Sequence, residues 1–378
     1  MGLRIFWHWS IRVIALTHLS SAGAFALLRF NEGRDQIFVN ASTSIGYDSN
    51  IFANNNAVGD VVTNATLGLE YARRAGLISV NAHVDWNLGS FAGNSGSDFA
   101  NPSMGAEFVK NTGRTTGAFT LAASQQSQAD PNVNQRTDSR NFSAGLNWKY
   151  PIIERYSFAG SLDYGLVDYT DNATGLVDLN TYSASLDLFY AYTSQRDLIF
   201  GYRIRESDTS SGSNYTDHSL TGGISGKILA KLNGTVRAGY QIRQDNGTGE
   251  SFGSFTASAS TTWTVSSRFT LTGTLSKDFS TTATDSSIDT LRFNLDAQYV
   301  FSSRWSLYNG IGVGYSSFLS GFDTGRRDHY FTWSTGINYS LNDHFKASLT
   351  YSYFQNWSNR TNSTFERNSL TLTLSTRW

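Results

Sequence analysis

Cysteine is absent from the 378 residues, so neither a disulfide nor a thiolate metal site is available. An exported chain of this composition must draw its stability from packing and backbone hydrogen bonds. Proline is almost absent as well, at 3 residues. Strand interiors exclude proline because it cannot donate to the ladder, so its scarcity suits a chain made mostly of strands. Past the N-terminus no apolar run approaches the ~18 residues that a spanning helix needs. With a mean hydropathy of -0.31, this excludes a helical membrane protein. Neither sign of charge is in excess. The formal net charge of -1 lacks the electrostatic footprint of a nucleic-acid-binding protein, so no nucleic-acid partner is expected.

The chain is rich in aromatics (14%) and glycine (34 residues). Residues 1–26 have the make-up of a cleavable export signal. Arg4 and Arg12 supply positive charge, and an apolar stretch opens at Ile11. Small-x-small sites follow at Ala22-Gly23-Ala24 and Ala24-Phe25-Ala26. Thr17, His18, Ser20 and Ser21 interrupt the apolar stretch, leaving it too short to span a bilayer. The mature chain is expected to begin near Leu27 and to form one domain over 27–378.

From Gln36 onward a single unit recurs about every 38 residues: alternating segment, polar loop, alternating segment, tight turn. Leu291, Phe293, Leu295, Ala297, Tyr299 and Phe301 alternate with Arg292, Asn294, Asp296 and Gln298. Phe345, Ala347, Leu349, Tyr351 and Tyr353 alternate with Lys346, Ser348, Thr350 and Ser352. Period two puts the apolar set on one face of each strand and the hydrophilic set on the other. A soluble sandwich alternates too, so three further features decide. The segments are long enough to cross a bilayer when tilted. Short and long connections alternate, and aromatics gather at the strand ends where interfacial girdles form. Trp263-Thr-Val-Ser-Ser-Arg268-Phe269 and Tyr299-Val-Phe-Ser-Ser-Arg304-Trp305 are two copies of one such aromatic-flanked turn.

Eight turns (near 72–76, 111–115, 151–155, 194–197, 229–232, 266–268, 302–304 and 341–344) and nine longer loops (near 53–60, 92–98, 127–139, 171–179, 207–216, 245–252, 281–288, 318–327 and 357–364) predict an all-β fold. It is a transmembrane antiparallel up-and-down β-barrel of about 18 strands with both ends on the turn side. The last strand runs to the last residue, with Leu370, Leu372, Leu374 and Trp378 on one face. Such a terminal strand is similar to the recognition signal of the outer-membrane barrel assembly machinery, which is therefore an expected partner, together with outer-membrane lipid and lipopolysaccharide.

At 16 to 18 strands a barrel keeps an aqueous lumen unless a loop folds inward as a plug. The inward face is predicted to be hydroxylic and amide-rich, with both charge signs interspersed. Pore-lining candidates are Arg203, Arg205, Arg237, Arg243, Arg292, Asp296, Asp187 and Lys149. Two outcomes stand side by side. The arginines form a basic strip with weak anion preference, or each pairs with a neighbouring carboxylate. No metal or cofactor is expected. The four histidines of the mature chain (His83, His218, His329 and His344) lack metal-ligand spacing, and no catalytic residue is proposed. Gly310-Ile-Gly312-Val-Gly314 lies in a strand rather than before a helix, so close backbone approach explains it better than nucleotide binding.

The first strand ends in Gly46-Tyr47-Asp48-Ser49-Asn50-Ile51-Phe52. This segment resembles the outer-membrane β-barrel porin family whose members occur beside genes for exopolysaccharide synthesis and export in Gram-negative bacteria. The resemblance implies a passive barrel in the outer membrane, serving polysaccharide secretion alongside export components, and implies no catalytic residue. From the residues themselves, Asp48 and Asn50 are expected to cap the strand or to hold the first loop inward. The expected function is a porin-like channel for hydrophilic solutes or for exopolysaccharide. The alternative is a non-conducting structural or adhesive surface barrel.

Overall fold

The computed structural model describes residues 26–170 and 175–378. All but the last residue of the expected export signal, and most of the Asp171–Gly175 loop, lie outside the described residues.

The strands are β1 (Leu28–Phe30), β2 (Asp35–Asp48), β3 (Asp60–Arg73), β4 (Ser79–Phe91), β5 (Phe99–Lys110), β6 (Thr116–Asp130), β7 (Gln135–Ile153), β8 (Tyr156–Tyr169), β9 (Leu179–Thr193) and β10 (Arg196–Thr209). They continue as β11 (Asn214–Leu229), β12 (Leu232–Asp245), β13 (Ser251–Thr264), β14 (Phe269–Thr281), β15 (Ser287–Val300), β16 (Trp305–Phe318), β17 (Arg327–Ser340), β18 (Phe345–Ser358) and β19 (Phe365–Arg377). From β2 onward each strand pairs antiparallel with its sequence neighbours. β19 closes on β2 with Ser369 opposite Asp48 and Arg377 opposite Asn40, giving an 18-stranded barrel. β1 pairs only with β2, Leu28 opposite Ile37.

The register shows why the pattern closes. Residues directly opposite share a face, so Leu291–Tyr315, Phe293–Val313 and Leu295–Ile311 form outward apolar rows. Large apolar side chains are exposed on that outer face, among them Leu220 (67%), Leu67 (61%) and Phe200 (60%). A soluble fold would bury these groups. A barrel surrounded by hydrocarbon satisfies its backbone within the ladder and leaves them outside. Aromatic belts mark both edges. Trp305–Tyr339 (4.4 Å) and Tyr156–Tyr190 (5.1 Å) lie at the turn end, and Tyr164–Tyr182 (5.2 Å) and Tyr315–His329 (4.8 Å) toward the loop end.

All eight predicted turns are present. Several loops are shorter than expected because the strands run on into them, whereas the first spans 49–59 against an expected 53–60. The connection expected over 127–139 is a turn at 131–134 between β6 and β7, and that expected over 207–216 is a turn at 210–213. A 14-residue strand such as β12 rises about 46 Å, more than a ~25 Å apolar band requires even when tilted. The surplus projects beyond the loop-side interface and shapes the mouth.

Two strand pairs separate before they reach that mouth. β5 and β6 pair only from Lys110–Gly117 to Ser103–Ser124, and β13 and β14 only from Thr264–Thr270 to Ala257–Lys277. The hairpins beyond these points, β6–β7 and β14–β15, stay fully paired internally. They leave the wall along one edge and bend into the lumen. Pro102 sits in the stretch of β5 left without a partner on that side, where its missing N–H costs nothing.

Candidate functional site

The constriction at the loop end is built from these two hairpins. On the wall, Arg205 (β10), Asp217 (β11) and Arg243 (β12) lie opposite one another on the inward face and are essentially unexposed, at 1%, 1% and 0%. Asp217 accepts from Arg205 Nε (2.7 Å) and from Arg243 Nε and Nη2 (2.6 and 2.8 Å). The guanidiniums then reach the bent hairpin. Arg205 donates to Asp278 (3.1 Å) and to the Phe279 carbonyl (2.7 Å), and Arg243 to the Ser280 carbonyl (2.8 Å) and Ser287 Oγ (3.0 Å). Arg203 adds a pair with Asp278 at 2.8 Å. Phe279, which the alternation assigns to the lipid face, is 1% exposed beneath Arg243 because the hairpin has turned that face against the inner wall.

The tip of β14–β15 crosses the mouth. Ala283 packs with Val167, Tyr169 and Leu179 on β8 and β9, and its carbonyl accepts from Val177 N–H at 2.8 Å. Asp285 accepts from Ser211 and Ser213 at 2.5 and 2.6 Å. The β6–β7 hairpin comes from the opposite side. Ala129 packs on Ala53, Phe354 and Phe365, and Arg136 lies over the rings of Phe91 and Phe99 at 4.8 and 5.5 Å. Arg326, 1% exposed, holds the turn of this hairpin. It donates to the carbonyls of Asn132 (2.7 Å) and Pro131 (3.0 Å) while pairing with Asp328 at 2.6 Å. Val133 joins the cluster around Ala283, so the two tips meet.

Between the hairpins remains a cavity of about 80 Å³ lined by Gln128, Asp130 and Asn132 on one side and Ser276, Asp278, Thr290 and Arg292 on the other. Below it Thr272 and Thr274 are half-buried on the inward face, whereas Ser139, Asp217, Gln241 and Ser369 in the loop-end half are buried.

All eight pore-lining candidates lie on the inward face, and carboxylates partner most of the basic ones. Arg203, Arg205 and Arg243 belong to the staple. Arg237 holds Asp187 through two bonds of 2.7 and 2.9 Å lower in the barrel, and Lys149 stands 3.7 Å from Asp197. Asp296 accepts from the Tyr308 hydroxyl at 3.0 Å, and Arg292 lines the cavity. His83 Nε2 lies 3.9 Å from Asp85. Gly314 leaves room for the Tyr330 ring to lie over the wall.

The Tyr47–Asn50 segment sits at the closing seam. Asp48 is gripped by Arg367 of β19 (3.0 and 2.5 Å) and accepts from Asn50 N–H (3.0 Å). Ser49 exchanges bonds with Asn368 (2.9 and 2.8 Å). The buried Asn50 amide donates to the carbonyls of Asn54 (2.6 Å) and Glu366 (3.1 Å), while Tyr47 faces outward. At the other end of the seam Trp378 exchanges two backbone bonds with Val39 and stacks on His344 at 4.0 Å. Leu372 and Leu374 are exposed on the outer face.

Sequence reasoning missed Asp217, Asp278, Arg326 and Arg136 as parts of the mouth. One signal was available. Outward-parity positions of β6 and β7 turn polar at Gln125, Ser127, Asp138 and Arg140, where 119, 121 and 123 are apolar.

Residues 219–378 match the family model described as "Putative beta-barrel porin 2", a span that excludes the Tyr47–Phe52 segment. No curated protein matches the sequence. Among solved structures, Pseudomonas aeruginosa OpdK with vanillate is similar at TM-score 0.50 and 11% identity, covering 90% of this chain and 99% of that one. P. aeruginosa OccK2 (OpdF) in complex with glucuronate is similar at TM-score 0.50 and 12% identity, covering 91% and 98%. Over residues 219–378 the chain carries the sequence pattern of this β-barrel porin family, and the fold of its described residues is that of an outer-membrane porin barrel.

Proposed function

We propose that the protein is an outer-membrane channel for the passive passage of small hydrophilic solutes, with the paired hairpins as its size filter. The observation that carries this reading is the shape and chemistry of the lumen. A hydrophilic inward face leads to the mouth where the two hairpins meet, leaving the slot between Asp130 and Arg292. The slot suits a few waters or a compact solute rather than a sugar chain. The reading calls for no cofactor and no catalytic step. Recognition by the barrel assembly machinery during insertion is supported by the exposed Leu370, Leu372, Leu374 and Trp378 edge.

Export of exopolysaccharide through the same barrel is a second reading, and it requires both hairpins to swing out. The free edges of β6 and β14 favour it, because a hairpin released from one neighbour can pivot without breaking its own ladder. Single-channel recording of the refolded barrel in a planar bilayer tests both. Small steady steps unaffected by an acidic polysaccharide fit the solute channel, and steps blocked by the polymer fit export. A folded barrel without conductance would refute both and leave a structural or adhesive role.

A further inference from the structure

The two rims of the barrel use their charges in opposite ways. At the loop end four buried or half-buried arginines are committed to carboxylates (Arg205 and Arg243 to Asp217, Arg326 to Asp328, Arg367 to Asp48), while Arg136 lies over aromatic rings and Arg327 and Arg360 stand exposed. Other carboxylates there are held by neutral donors. Asp60 accepts from Gly93 N–H (2.9 Å) and the Asn94 amide (2.8 Å), and Asp98 from Phe91 N–H (2.6 Å). Asp178 accepts from Tyr169 N–H (2.9 Å), and Asp245 from Gly247 and Thr248 N–H (2.9 and 3.1 Å). A neutral N–H orients a carboxylate and stabilises its ionised form without cancelling the charge.

At the turn end several cations donate to backbone carbonyls instead, beside the ion pairs Arg377–Glu70 (2.9 Å), Arg34–Glu32 (3.2 Å) and Lys149–Asp197 (3.7 Å). Lys110 reaches Thr115 (2.6 Å), Arg114 Ile152 (2.9 Å), Arg196 Lys227 (2.8 Å) and Lys231 Val265 (2.8 Å). Arg74, Arg268 and Arg304 stand exposed in the turns themselves. Several of these bonds stitch one turn to the next, so the positive charges are fixed in a ring. The barrel is therefore an axial dipole, negative at the loop mouth where the hairpins meet and positive at the turn mouth.

We propose that this polarity makes the channel cation-selective and rectifying, so that small hydrophilic cations are the solutes favoured from the loop side. The proposal rests on the channel reading above. Selectivity is set where the passage is narrowest, and acidic rings at a constriction favour cations. The slot itself is nearly balanced, with Asp130 across from Arg292 and Asp278 paired with Arg203 and Arg205, so the surrounding loop carboxylates decide the sign. The positive ring lies at the opposite end of the barrel from the slot, where a Debye length of about 8 Å confines its influence to the rim. It alters ion supply from one side only, and this makes current depend on the direction of the voltage.

The test is a reversal potential across a potassium chloride gradient, using the refolded barrel in a planar bilayer. The expected preference for K⁺ over Cl⁻ is about threefold or more at 0.1 M, collapsing toward unity near 1 M where the Debye length is about 3 Å. Currents at opposite voltages are expected to be unequal. The combined variant Asp98→Asn, Asp178→Asn, Asp245→Asn keeps an accepting oxygen at each site and is expected to bring the ratio toward unity. Combining Arg74→Gln, Arg268→Gln and Arg304→Gln is expected to even out the two currents while the cation preference stays. Anion preference, no preference at 0.1 M, or a ratio untouched by the loop variant overturns the proposal and leaves the channel reading standing. A folded barrel with no conductance overturns both.

Discussion

Replacing Asp217 by Asn removes one charge from the centre of the staple that holds β14–β15 inward. Asp217 is 1% exposed and faces two guanidiniums that are themselves 1% and 0% exposed. Removing one partner of a buried ion pair typically costs about 3–5 kcal/mol, because the charges left behind stay desolvated. The structure offers those charges a way out. Arg205 and Arg243 can turn toward lumen water if they drop the carbonyls of Phe279 and Ser280, the bonds that anchor the hairpin. If about 3 kcal/mol of the loss falls on the inward position, the ratio of released to docked hairpin rises about a hundredfold. Single-channel recording is expected to show larger steps, or frequent excursions to them. Asp187→Asn is the control. It breaks the Arg237 pair lower in the barrel, where both side chains are part-exposed (24% and 16%) and neither touches the hairpin. It is expected to leave step size nearly unchanged. An Asp217→Asn barrel whose conductance and fluctuations match the wild type would refute the idea that this network holds the hairpin in place.

Two other perturbations probe the same architecture. Since the chain has no cysteine, Ser213→Cys with Asp285→Cys places a unique pair where two side chains already touch. Oxidation is expected to lock the hairpin tip and hold conductance at its low level even in the Asp217→Asn background, with reductant restoring the larger steps. Asp48→Ala strips Arg367 of its two-pronged partner at the closing seam. The expected cost is about 1.5–3 kcal/mol, read as a lower urea midpoint in detergent, while the barrel still forms because the β19–β2 ladder is intact.

How far the sequence reached can be traced at single positions. Leu291 to Phe301 alternates cleanly because one face meets hydrocarbon and the other the lumen, and the register bears this out. The turns around Arg268 and Arg304 announce themselves by flanking aromatics, because rings settle at the membrane interface. Near 127–139 the same logic failed. Polar residues at outward positions look like a solvated loop, and a strand folded into the lumen presents the same residue types. The 127–139 segment is strand on both sides of a four-residue turn at 131–134.

By itself, the sequence determined the hairpin count, the two faces of each strand, the closed barrel and the seam between first and last strands. These follow from period-two burial and from the requirement that no strand edge be left in lipid. Only the tertiary structure decided that two hairpins leave the wall and meet across the mouth. That outcome depends on partners far apart in the chain, such as Arg205 with Asp278 and Arg326 with the carbonyls of Pro131 and Asn132. A local pattern states which face a residue is on, and the barrel's curvature decides what it finds there.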